Sequence, residues 1–98
     1  MRKGYYSDYA EYCLKFYIRH PNATFSNEAN ERNWKTAESI FKELDDSEKE
    51  ILTYVYSERD TLADNVYNFS KVHNMEQEVI WKIIADTKYK IAERRGLI

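Results

Sequence analysis

The chain has 98 residues, 43 % of them apolar and nine of them tyrosine, with two glycines, one proline and a formal net charge of −2. That length suits one domain, and the apolar content excludes a disordered chain. The slightly acidic balance excludes a strong nonspecific nucleic-acid binder, while the scarcity of glycine and proline favours long helices over turn-rich sheet.

A core of this size forms without a metal or disulfide, and Cys13, alone in the chain, has no partner for an internal bridge. No apolar run approaches the roughly 20 residues of a membrane span. No basic-plus-apolar leader opens the sequence, so a cytoplasmic address is the expectation. On the same ground Asn22-Ala23-Thr24 and Asn68-Phe69-Ser70 are expected to be chance matches to the glycosylation pattern.

The pattern predicts an all-α fold of about five helices in one domain, 1–98, with no cofactor. The first helix is expected from about Asp8 to Arg19. Asp8 and Glu11 stand at capping-box spacing, and Tyr6, Tyr9, Ala10, Cys13, Phe16 and Tyr17 mark a buried face at helical spacing. Pro21 disfavours helix at His20 and ends it. Ser26 or Asn27 caps a second helix whose stripe is Trp34, Ala37, Phe41 and Leu44, with Ile40 beside it. The Asp45-x-x-Glu48 box opens a third, carrying Ile51, Leu52, Val55 and Tyr56. Ser57-Glu58-Arg59-Asp60 reads as a charged loop. Thr61 and Asp64 then start a fourth helix that presents Leu62, Val66, Phe69 and Val72.

The last helix is expected to be the longest, from about Glu76 to Arg95, with Ile80, Ile83, Ile84, Thr87 and Ile91 facing inward. Gly96 stops it, because glycine takes the left-handed conformation at little steric cost. Lys82, Lys88, Lys90, Arg94 and Arg95 make this end of the chain basic, against acid concentrated between Glu43 and Glu50. Basic residues also suit the negative end of the helix dipole.

Between the last two helices, His73-Asn74-Met75 reads as a turn. Ser70 is small where two helices would cross, and asparagine is the non-glycine residue best suited to positive φ. Phe69, Met75, Ile80 and Ile83 supply apolar contacts around it. From Leu44 onward the chain resembles sigma-factor region 4: a capped Asp45-Asp46-Ser47-Glu48 start, Ile51-Leu52 in a first helix, then a helix-turn-helix. It is also similar to small phage and mobile-element transcription regulators of the ArpU-like and RinA-like kind, which end near Arg94-Arg95-Gly96-Leu97-Ile98. The similarity divides the domain into N-terminal helices (1–44) and a sigma-like half (45–98).

The resemblance implies a transcription regulator that places the N-terminal half of the last helix in the major groove of duplex DNA. Glu76, Gln77, Glu78, Trp81 and Lys82 would then face bases or phosphates. Gln77 suits an adenine edge and Glu78 a cytosine amino group, while Lys71, Lys82, Lys88, Lys90 and Arg94 would hold phosphates. RNA polymerase and a second copy of the chain stand as further partners. The rival expectation is a protein-interaction module that binds RNA polymerase or another protein without reading DNA. Net acidity and a recognition helix poor in arginine favour that rival.

Each feature also has a structural role to weigh. Glu76 and Glu78 suit a helix N-terminus for dipole reasons alone. Trp81 adjoins the Ile80 core position and is expected to pack. Tyr5, Tyr6, Tyr9, Tyr12 and Tyr17 form a core or dimer face rather than a stacking platform for bases. His20 and His73 have no second ligand at metal spacing, and Cys13 reads as a small buried hydrophobe. No Gly-rich phosphate loop, His-Glu-x-x-His or nucleophile–base pair is found, so the chain is not expected to be an enzyme.

Overall fold

The computed structural model describes residues 3–57 and 60–98, with side chains from Tyr6 onward; Tyr5 of the tyrosine face and Glu58-Arg59 of the charged loop lie outside that description. Five helices follow in order: α1 (Lys3–Arg19), α2 (Glu28–Glu43), α3 (Asp46–Ser57), α4 (Leu62–Val72) and α5 (Gln77–Arg95), with no strand among the described residues. The fold is all-α.

Side-chain caps set the starts of the middle three helices. Asn27 Oδ1 accepts from the Asn30 amide at 2.8 Å. Asp45 Oδ1 accepts from the Glu48 amide at 2.8 Å, and Glu48 Oε1 accepts in return from the Asp45 amide at 3.1 Å. Thr61 Oγ1 accepts from the Asp64 amide at 3.2 Å. Each bond satisfies an amide that the helix itself leaves unpaired. At the other end of α5, Gly96 sits at φ 81°, and the Leu97 amide reaches back to the Ala92 carbonyl at 2.8 Å. That is a Schellman closure.

One core gathers residues from all five helices. α1 lies against α2, α3 and α5, α3 pairs with α4, and α5 packs against each of the other four. Ala10 and Cys13 are small and fully buried beside Leu14, which brings α1 close to its neighbours. Ile80, Ile84, Thr87 and Ile91 are the corresponding buried stripe of α5, with Ile83 partly buried at its edge. Polar contacts tie neighbouring helices together. The Tyr56 hydroxyl donates to Glu11 at 2.8 Å, Arg19 Nε donates to the Tyr56 carbonyl at 2.7 Å, and Asn65 Nδ2 donates to the Val55 carbonyl at 2.9 Å.

The structure corrects three expectations. α1 starts at Lys3 rather than near Asp8, so Asp8 and Glu11 lie inside the helix and form no cap. Tyr6 meets Tyr89 of α5 edge-on at 6.4 Å, which gives the added turn a packing partner. On α1, Leu14 takes a central core position, whereas Phe16 is half-buried at the rim against Tyr12 and Phe25. Val72 is 75 % exposed, not buried. α4 ends at that residue, and it is the next one, His73, that stacks on Phe69 at 4.0 Å.

Candidate nucleic-acid interface

Residues 62–84 are two helices, not one rod, and the break is made by a single backbone inversion. Asn74 has φ 51°, the only positive φ outside glycine among the described residues. The His73 amide still bonds the Phe69 carbonyl at 3.0 Å, and the Met75 amide then closes on the Ser70 carbonyl at 2.9 Å. Ser70 is buried and Met75 is partly buried against the core, so the turn is anchored on its inner side. Glu76 follows in extended geometry and caps α5 through its backbone, without a side-chain cap bond.

The start of α5 is open to solvent. Glu76, Gln77, Glu78, Trp81 and Lys82 are all exposed, and so is Val79. Trp81, expected to pack beside Ile80, is instead exposed at 39 %, because it lies one residue round the helix from the buried stripe. Lys71, on the last turn of α4, lines one open cleft of about 260 Å³ with Glu76 and Gln77; Tyr67, Ser70, Asn74 and Met75 complete it. The Lys71 ammonium sits 5.5 Å from the Tyr67 ring centroid, a cation–π distance that holds the charge near the turn. Lys82 reaches Asp86 at 3.0 Å, one turn further along the same exposed face.

The nine residues singled out in the sequence therefore divide into two groups. Lys71, Glu76, Gln77, Glu78, Trp81 and Lys82 surround the turn and the leading end of α5. Lys88, Lys90 and Arg94 lie in its second half. At about 100° per residue, Lys88 and Arg94 leave the Lys82 face in opposite directions and meet other helices. Lys88 is mostly covered and approaches Glu11 of α1 at 4.0 Å. Arg94 donates to Glu43 of α2 at 2.7 Å and to Ser39 at 3.2 Å. This pair holds the Glu43 carboxyl below the usual carboxylate range. Lys90 is exposed and makes no ion pair among the described residues.

Of the tyrosines, Tyr6, Tyr9 and Tyr17 pack partly buried against the core, while Tyr12 is 49 % exposed. Cys13 is fully buried, and burial pushes its thiol up to about 11. Among the described residues no group of three or more His, Cys, Asp and Glu converges as a metal site, and no helix is long and apolar enough to cross a membrane.

One polar assembly escaped the sequence reading. Asn33, fully enclosed on α2, accepts from Arg95 Nε at 2.7 Å and contacts the Tyr9 hydroxyl. Asparagine in a helix reads as surface or cap, so only the fold reveals that this one orients an arginine 62 residues away. No protein-family model matches the chain, and a search of curated proteins and solved structures finds no match either.

Proposed function

We propose that this chain is a duplex-DNA-binding transcription regulator, of the phage or mobile-element type, working in the cytoplasm through a helix-turn-helix made by α4, the Asn74 turn and α5. The observation that carries this reading is the exposed leading end of α5, where Gln77 shares a cleft with Lys71, and Trp81 and Lys82 follow uncovered on the next turn. A helix projecting from an anchored turn with its first residues uncovered is the geometry by which such motifs reach base edges.

In that role Gln77 offers a donor and an acceptor to an adenine, and Glu78 accepts from a cytosine amino group. Lys71 and Lys82 bracket the groove and hold phosphates on either side, Lys82 exchanging Asp86 for the backbone. Surface ion pairs of this kind are weak and readily exchanged. Glu76 and Glu78 repel phosphate that is not correctly placed. They lower nonspecific affinity, so discrimination rests on the base contacts. With Lys88 and Arg94 occupied by Glu11 and Glu43, a single copy contributes few phosphate contacts, and pairing of two copies or contact with RNA polymerase would supply the remainder.

The same observations favour one rival, a module that uses this surface to bind RNA polymerase or another protein. Val79 and Trp81 are exposed apolar groups among carboxylates, and aromatic anchors of that kind are common at the centres of protein interfaces. Selection of duplexes from a random library, followed by fluorescence anisotropy at stepped salt, separates the two. Two phosphate contacts per copy predict a log–log slope of about −2 for each bound copy. Failure to enrich any duplex, or binding indifferent to salt, overturns the DNA reading in favour of its rival.

A further inference from the structure

At the far end of α5 from the Asn74 turn, a cleft of about 290 Å³ opens between α2 and the last turn of α5, lined by Arg32, Lys35, Thr36, Ser39, Arg94 and Arg95. Four cations from two helices converge there with two hydroxyl groups. Lys35 and Arg94 are already answered: Glu31 lies on Lys35 at 2.6 Å and Glu43 on Arg94 at 2.7 Å, with Glu38 and Glu93 acting on the same two cations from further away. Arg32 and Arg95 make no ion pair among the described residues.

Arg95 is the informative member. Its Nε donates to Asn33 Oδ1, and Asn33 is itself buried and tied to Tyr9. The Arg95 Nε is thereby anchored, and the terminal nitrogens of the guanidinium make no hydrogen bond among the described residues. A guanidinium anchored at Nε keeps two terminal nitrogens for parallel bonds to an oxyanion, the mode in which arginine recognises phosphate. Thr36 adds a neutral donor on the α2 side, whereas the Ser39 hydroxyl already donates to the Thr36 carbonyl at 2.8 Å.

We propose that this cleft binds a phosphate group, with the two unpaired arginines, Arg95 and Arg32, as its ligands and the Thr36 hydroxyl beside them. The phosphate is carried either by a small phosphomonoester or by a nucleic-acid backbone. The proposal is independent of the reading of α5 as a recognition helix, because the two sites share no residue in the leading group.

The test follows backbone amide shifts of the full chain as inorganic phosphate replaces chloride at constant ionic strength, then as AMP and a short duplex are added separately. Saturable shifts confined to Arg32, Lys35, Thr36, Ser39, Arg94 and Arg95 are expected. Arg32→Gln with Lys35→Gln, both on the exposed face of α2, should weaken binding about tenfold while leaving helicity unchanged. Saturation by phosphate and AMP identifies a small phosphomonoester as the source, and response to duplex alone identifies a backbone. Non-saturating shifts spread over the surface, or affinity unchanged in the double variant, overturn the proposal.

Discussion

Replacing Asn74 tests the turn on which the account is built. The residue is exposed and has φ 51°, so a substitution there changes backbone preference and disturbs little packing. Left-handed geometry costs an ordinary L-residue about 1–2 kcal/mol, and asparagine less because its short side chain bonds locally. Asn74→Val brings the full cost, since a β-branched side chain is least tolerant of this region. Asn74→Gly removes the strain but gives the unfolded chain more freedom, and the two effects nearly offset. For a chain of this length 1 kcal/mol moves the melting midpoint by about 4–8 °C. Thermal unfolding followed by far-ultraviolet circular dichroism should therefore place Val about 5–10 °C below the parent, Ala between them, and Gly close to the parent. A valine variant as stable as the parent, or a glycine variant less stable than valine, would refute the assignment of a strained turn at this residue.

Other expectations follow from burial and charge. Val72→Lys should change stability by less than about 0.5 kcal/mol, whereas Phe69→Ala, its neighbour in the predicted stripe but buried, should cost about 3–5 kcal/mol in urea unfolding. Cys13 should resist thiol reagents in the folded protein at neutral pH and react fully once the chain is unfolded. With its thiol raised from 9.0 to about 11 by burial, the folded state keeps the proton that the unfolded state releases. The cysteine's contribution to stability is then complete below pH 9 and declines as pH rises from 9 towards 11. A pH series of urea midpoints in the parent and Cys13→Ala tests the sign, the parent losing stability relative to the variant in that window.

Local signals in the sequence proved dependable where the physics is local. The Asp45/Glu48 box, Thr61, Asn74 and Gly96 each act within a few residues, and each has the geometry its residue type requires. The buried stripe of α3 follows from helical spacing, and so do Ile80, Ile84 and Ile91 of α5, although Val79, Trp81 and Tyr89 leave other faces of that helix apolar too. What the sequence concealed depends on contacts between distant segments. Nothing near Asp8 indicates that Tyr6 will find Tyr89, so the extra turns of α1 were not legible. Helical spacing turns Lys88 and Arg94 away from the Lys82 face, but only the fold shows that Glu11 and Glu43 meet them there. Arg32 and Lys35 likewise join Arg94 and Arg95 only because α2 crosses the end of α5.

Mapping a selected duplex onto the chain by amide chemical shifts tests the central claim most directly. The account predicts the largest changes at Lys71 and from Asn74 to Lys82, abolished by Gln77→Ala combined with Lys82→Glu under conditions that leave the fold intact. Changes confined to α1, or duplex affinity unaltered in that double variant, would contradict it.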